Sequence, residues 1–491
     1  MVDPHAVLTS AGAPSPVSAS AVAREATAAG SVIVVLDDDP TGTQSVHGLP
    51  VLTRWSVDDL RWAFAQDTLA VYVLTNTRSL DPAEAGARNA EVVRNARAAA
   101  GDRPLVFASR GDSTLRGHYP LEPRVIDTTL QELGDPGVDG VVIVPAFPDA
   151  GRVTVGGVHY TRSDTGFTPV AETEFARDAT FGYRNSDLRA WVEEKTEGAV
   201  PASEVTVIDL ALLRGGDTDA VTARLLEQHD AAPVVVDAES EEDLRVLALA
   251  LIAAERRGHR FVYRVGPPFV RARIGLEARA PLGEDEIRTS TDAPGGLVVV
   301  GSHVALTTRQ LGVLVDRHPG ARVIELAVDE VLDPAAREAA VARTVDAIVA
   351  GLADHDVILH TSRLLRLSDD PATSLAIARD VSAALVRCVS ETLARRAPRF
   401  VVAKGGITSS DVASLGLGIH RALVRGPMLP GLVSLWEPVG GPATGIPYVV
   451  FAGNVGADDS LSEVVDRLST LSTRPGDGSP VTEAPNTGVR P

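Results

Sequence analysis

At 491 residues the chain is long enough for two or three domains, each burying a substantial core. A net charge of −19 argues against nucleic acid as a partner, and no apolar run approaches membrane-spanning length. The single cysteine, Cys388, excludes an intramolecular disulfide framework and fits a reducing, cytoplasmic setting. It follows Ile377, Val381 and Leu385 at helical spacing and reads as a core residue.

The first 27 residues are rich in Ala, Ser and Pro but lack a basic start and a continuous apolar segment. They read as a disordered tail, not a signal peptide. Strands are expected at 32–36 and 49–54, with Ser56 capping a short helix, and at 70–75. Asp81, Pro82 and Glu84 supply an N-cap, a first-turn proline and an acid for a helix to about Ala100. A strand from Leu105, a helix near 120–133 and a strand over 140–144 follow. Residues 145–185 read as loop-rich, with His159 either touching a ligand or bonded inside the fold. Strands at 205–209, 233–237 and 261–265 surround a helix over 241–257, and the Pro/Gly-bearing stretch 280–296 reads as a linker. This alternation implies a mostly parallel sheet covered on both faces.

The second half opens on Leu297–Val300, runs into Gly301-Ser302-His303, and continues with a helix from Leu306. A long helix is expected from Asp370-Pro371 to about Arg396, then a strand over 399–403. Val412, Leu415 and Ile419 suggest another helix, Tyr448–Phe451 a last strand, and Leu461 a last helix before a Pro/Gly-rich tail.

Two strand ends carry chemistry. Leu105 to Gly117 breaks into a loop holding Asp112, Ser113, Thr114 and Arg116. A carboxylate, two hydroxyls and a guanidinium at a strand's C-terminal end can grip a small polyhydroxy acid. By composition alone a polar capping turn is an equal reading. Residues 32–43 end likewise, in Asp37-Asp38-Asp39-Pro-Thr-Gly-Thr. Three adjacent carboxylates repel one another and need cations or hydroxyl donors nearby. In the second half, three strand–glycine–helix junctions at Gly301, Gly405-Gly406 and Gly453 let backbone amides approach an anion. Lys404 stands beside the middle one, and the chain has only one other lysine, Lys195. No Walker A loop or Gly-x-Gly-x-x-Gly fingerprint appears.

Together with Pro-Ala-Phe-Pro-Asp-Ala-Gly-Arg at 145–152, these stretches resemble the four-carbon acid sugar kinases. That family reads Asp-Asp-Leu-Thr-Gly-Ala, then Asp-Ser-Thr-Leu-Arg-Gly, then Pro-Ala-Phe-Pro followed by Gly-Arg. Asp38, Asp39, Thr41 and Gly42 fall on the first motif, with Pro40 and Thr43 departing, and Asp112–Gly117 match the second throughout. Lys404 to Ser409 resembles the family's nucleotide loop, with Ile407 in place of a glutamate. Gly301-Ser302 and Gly453-Asn454 resemble its other nucleotide turns.

The resemblance implies an α/β protein of two domains, each a mostly parallel sheet flanked by helices, with the active site in the inter-domain cleft. Residues 28–279 would bind the acid sugar and 297–472 the nucleotide, with tails at 1–27 and 473–491. ATP would phosphorylate a tetronate-, 3-oxo-tetronate- or threonate-like acid at its terminal hydroxyl, with Mg2+ as cofactor. Asp38 would be the base, in competition with Asp39 and Asp112. Asp39, Arg78, Asp112, Ser113, Arg116, Gly117 and Arg152 would hold the acid. Ser302, Lys404, Gly405, Gly406, Ile407, Thr408, Gly453 and Asn454 would hold the nucleotide. The partners are those two small molecules, with neither nucleic acid nor membrane, and the metal ligands and any homo-oligomer stay open. Two other classes compete: an aldolase or hydrolase of sugar-acid phosphates, and a non-catalytic sugar-acid-binding protein.

Overall fold

The structure, a computed structural model, describes residues 4–163, 166–289, 293–363 and 371–469, the side chains of 371–376 excepted. In the first half eight parallel strands lie side by side. Their order is Leu49–Leu52, Ala70–Leu74, Val32–Asp37, Leu105–Arg110, Phe261–Val265, Gly140–Val144, Ala232–Val236 and Thr206–Ile208. In the second half the order is Tyr448–Phe451, Val401–Lys404, Leu297–Val300, Val357–Thr361 and Arg322–Leu326, again parallel. The inner strands are near-continuous runs of buried Val, Ile and Leu, the composition of sheets covered on both faces.

An antiparallel hairpin, Arg421–Leu429 and Leu432–Pro438, joins the halves. One side of it pairs Ala422 with Val51 of the first half, the other pairs Leu435 with Val449 of the second. Both domains thus share one sheet of 15 strands. No strand signal in the sequence here outweighs the helical pattern onward from Val412. That pattern ends early: Gly406–Asp411 is α-helical, Val412–Gly416 widens into a π turn, and Leu415 points to solvent while Val412 and Ile419 are buried.

Other stretches also differ from expectation. Residues 145–185, read as loop-rich, contain a small antiparallel sheet of Arg152–Val155, Val158–Ser163 and Gly166–Pro169. The linker 280–296 is packed down where it is described: Leu282 and Ile287 are buried, and the Leu282 amide donates to the Pro427 carbonyl of the hairpin at 2.9 Å. The long helix spans Pro371–Arg395, so its expected first residue Asp370 and the tail beyond Thr473 lie outside the described residues.

The expected disordered tail at 1–27 is the largest correction. Pro4–Ala11 and Ala19–Ala29 are helices, the second capped by Ser18 and closed by Gly30 in the left-handed region. Alanine favours helix, and this one has a destination. Ala19, Val22 and Ala26 are buried, and Val22 and Ala26 pack on Ala248 and Ile252 of the helix Glu241–Arg256, where Arg256 also meets Glu25 at 2.5 Å. Val22→Asp places an unpaired carboxylate in that contact and is expected to cost about 2–4 kcal/mol in urea unfolding. An unchanged midpoint would restore the disordered tail.

Candidate active site

Parallel pairing sets Asp37 opposite Arg110 at the ends of their strands. Both are almost wholly buried, and the Arg110 Nε–H donates to Asp37 Oδ1. Burial pushes the Asp37 carboxyl up to about 7 against the pull of Arg110. The next residue, Asp38, is gripped at two points by Arg78, Nη2 to Oδ1 at 2.5 Å and Nε to Oδ2 at 3.1 Å. Arg110 Nη1 stands 3.6 Å from the same Oδ1. Asp39 caps the turn Pro40–Ser45: its Oδ1 accepts from the Thr41 amide at 2.9 Å and hydroxyl at 2.6 Å. Burial would raise Asp39, but Arg78, Arg110 and Thr41 hold it below the usual range. The repulsion among three carboxylates is met by two arginines.

The loop after Arg110 is built around a third. Asp112 Oδ2 accepts from the Thr114 hydroxyl and from Arg116 Nε, the latter at 2.6 Å. Burial opposes ionisation, yet Arg78 and Arg116 hold Asp112 far below the ordinary carboxylate range. Arg116 also lies 3.7 Å from Asp178. Arg116 and Arg152 both stand over the Phe175 ring, at 5.2 and 5.9 Å from its centroid. Arg152 donates Nη1–H to the Ala150 carbonyl at 2.6 Å, while its buried Nε–H has no partner among the described residues. Gly117 sits at φ +121°, and a Cβ there would stand 2.7 Å from Arg264 Nη2 and 3.1 Å from Asp38 Oδ2. Without a Cβ, Gly117 lets the loop backbone lie close to Asp38.

Behind the loop, Arg264 Nη1 donates to Ser109 Oγ and Glu122 Oε2, both at 3.0 Å. His159 is buried and anchors Ser113: Nε2–H donates to the Ser113 carbonyl at 2.8 Å and Nδ1 accepts from Thr154 at 2.9 Å. The Tyr183 hydroxyl donates to the Thr114 carbonyl at 2.7 Å. His159 is therefore a positioning residue. Its role settles the two readings its sequence position left.

In the second half Ser302, Gly405, Thr408 and Gly453 converge. A Cβ on Gly405 would meet Thr408 Oγ1 at 2.9 Å and Ser302 Cβ at 3.1 Å, and one on Gly453 would meet Ser302 Oγ at 2.6 Å. Ile407 and Asn454 are exposed at the rim. Lys404 departs from the expectation of a nucleotide contact. Its ammonium is buried, donates to the Ala452 carbonyl at 2.6 Å and lies 3.8 Å from the Phe451 ring centroid. Burial draws it down to about 7. Strand alternation puts Lys404 on one face of the sheet, beside its cross-strand partner Phe451 and not in the loop. Arg363, not singled out in the sequence, supplies a cation instead. It donates to the Ser302 carbonyl at 2.6 Å, and its buried Nε–H and Nη1 have no partner among the described residues.

The two candidate loops come close to each other. A Cβ on Gly406 would stand 3.2 Å from Asp39 Oδ2, so the glycine loop faces the acidic loop directly. Sequence reasoning does not single out Arg110, Glu122, Arg264, Phe175 or Arg363. Arg110 adjoins a recognised motif and was within reach of sequence reasoning; the others become visible only through the pairing of distant strands and loops.

Burial draws the His159 imidazole down to about 4 from an ordinary 6.5. The unfolded chain therefore takes up a proton between those values that the folded chain refuses, and stability falls as pH drops through that window. Compared with His159→Gln, the wild type is expected to lose unfolding free energy from about pH 6.5 to about pH 4. A pH-independent difference between the two proteins would contradict this.

Residues 33–273 match the model of a sugar-binding N-terminal domain, and residues 297–461 that of a nucleotide-binding C-terminal domain. The chain is 27% identical over 464 residues to a D-erythronate kinase of Heliobacterium modesticaldum, covering 90% of this chain and 98% of that one. It is 30% identical over 444 residues to a D-threonate kinase of Bordetella bronchiseptica, covering 88% and 96%. Solved structures share the fold: a Haemophilus influenzae protein at TM-score 0.59 and 17% identity, covering 88% of this chain and 99% of its own. A Salmonella typhimurium protein aligns at TM-score 0.61 and 19% identity, covering 88% and 98%. The motifs at both strand ends, the paired domains and these full-length relatives agree, and the chain belongs to the four-carbon acid sugar kinase family.

Proposed function

We propose that the protein transfers the γ-phosphoryl group of ATP to the terminal hydroxyl of a four-carbon acid sugar of the tetronate, 3-oxo-tetronate or threonate kind. The observation that carries this reading is the closeness of Gly406 to Asp39, where an added Cβ would stand 3.2 Å from Oδ2, so that the glycine loop lies against the acidic loop. The acid's carboxylate lies against Arg116 and the free Nε–H of Arg152, with Asp112 and Ser113 taking its hydroxyls. Phosphates lie along Gly405, Gly406 and Gly453, where Arg363 adds positive charge against the chain's acidic background.

Magnesium suits this donor set. Asp39 Oδ1 is committed to Thr41, leaving Oδ2, whose nearest donor is Arg78 at 3.5 Å, to face the glycine loop. One carboxylate oxygen beside phosphates is how such ions are commonly held. Bound there, the ion would neutralise phosphate charge.

Asp38 accepts the proton of the attacking hydroxyl. Arg78 fixes its plane, and each of its oxygens keeps a lone pair free beyond the arginine bonds. The hydroxyl approaches buried Asp38 on the Gly117 side, where no Cβ stands. Phosphoryl transfer through a loose transition state asks more of alignment than of a strong base, so a carboxylate paired to arginine suffices.

Asp38→Asn is expected to lose about a hundredfold to ten-thousandfold in turnover while still binding both substrates. Single-turnover rates and melting temperature on one preparation check this; a lower melting temperature with intact turnover would leave Asp38 only a structural role. Gly406→Val should weaken ATP binding by at least about tenfold while sparing the acid sugar, since a branched side chain obstructs phosphate at the backbone. Calorimetry with each ligand decides it, and unchanged ATP affinity in folded protein would move the nucleotide elsewhere.

A further inference from the structure

At the opposite, N-terminal ends of the first-half strands, Asp139, His229 and His259 come together from three separate segments. One ring nitrogen of each histidine and one carboxylate oxygen of Asp139 all lie within 4.8 Å of one another. Asp139 immediately precedes Gly140–Val144, His259 lies just before Phe261–Val265, and His229 just before Ala232–Val236. These are three adjacent strands of the sheet. None of the three side chains takes part in the site described above.

We propose that these three residues bind a divalent transition-metal ion of the zinc class, which staples the three strand starts together. Two imidazoles and one carboxylate are a borderline donor set that suits zinc better than magnesium or calcium.

The surroundings already orient two of the ligands. His259 Nε2 lies 3.0 Å from the Leu226 carbonyl, which can only accept, so that nitrogen carries the proton and Nδ1 keeps its lone pair. Asp139 Oδ2 accepts from the Arg260 amide at 2.8 Å, leaving Oδ1 free, and that oxygen stands 3.8 Å from His229 Nδ1. The backbone ties the segments as well: the Asp139 amide donates to the Arg260 carbonyl at 2.8 Å, and the Ala231 amide to the Val138 carbonyl at 2.8 Å.

Zinc–nitrogen bonds of about 2.0–2.1 Å put tetrahedral donors about 3.3 Å apart, so the cluster must contract slightly on binding. His229 can supply that movement, since its side chain is 68% exposed. With three protein ligands the remaining position goes to water. The site proposed for phosphoryl transfer lies at the opposite edge of the sheet, at the strands' C-terminal ends, which makes the role structural.

Calorimetric titration of the EDTA-treated full chain with Zn2+, and separately with Mg2+, tests this. One zinc ion per chain is expected at micromolar or tighter affinity, with Mg2+ silent. His229→Ala and His259→Gln should each weaken zinc binding by at least roughly tenfold while leaving the metal-free melting temperature near that of the wild type. The exposed His229 makes a folding failure in its variant unexpected, and the melting temperature checks it directly. Absence of zinc binding, binding unchanged in both variants, or equal binding of Mg2+ would each overturn the proposal.

Discussion

Everything around the candidate active site depends on the pairing of buried charge at the strand ends. Asp37, Asp38 and Arg110 are each at most 2% exposed, and Arg264 and Glu122 are nearly as buried. A charge removed from water costs several kcal/mol unless a partner and hydrogen bonds replace the solvent. Here each carboxylate has its guanidinium: Asp37 has Arg110, Asp38 has Arg78, Asp112 has Arg116 and Glu122 has Arg264. The arginines come from different strands and loops, so satisfying the charges also fixes where those loops sit. Removing any one partner strands a charge, which is why this lattice positions the site so firmly.

The second half reaches that lattice through the hairpin. Thr43, at the far side of the acidic turn, shares a 2.8 Å hydrogen bond with Ser434, and the Trp436 indole donates to Thr43 at 2.9 Å. The turn is thus clasped by arginines on one side and by the second half on the other. A short loop held on both faces can present Asp39 to Gly406 with little freedom to drift. The same contacts explain a departure from the family motif, since threonine at 43 offers the hydroxyl that the usual alanine lacks.

Much of the fold was legible because it rests on local pattern. The strands over 140–144, 261–265 and 448–451 fall where the apolar runs fell, and Asp81 caps Pro82–Ala100 as its spacing implied. Other elements were decided by distant partners. The helix Ala19–Ala29 looks like low-complexity tail until Ala248 and Ile252 give its small apolar face somewhere to bury. The hairpin strands matter because Leu49–Leu52 waits for them half a chain away. In the site, motif residues Asp38, Asp112 and Arg116 could be named from sequence, whereas Lys404 could not be placed. Its neighbours in sequence are glycines, but its neighbours in space are Phe451 and the Ala452 carbonyl. Spatial neighbours also bring in Phe175, Arg264 and Arg363, which carry no local signature.

The central claim is that one acidic loop and one glycine loop, from opposite halves of a shared sheet, form a single phosphoryl-transfer site. A crystal structure with a non-hydrolysable ATP analogue, Mg2+ and the acid sugar bound together tests it most directly. The account predicts the γ-phosphate beside Gly406 and Asp39, with the acid's terminal hydroxyl about 3–3.5 Å from its phosphorus and the acid's carboxylate on Arg116 and Arg152. Phosphates bound away from Gly406, or an acid whose terminal hydroxyl points away from Asp38, would contradict it.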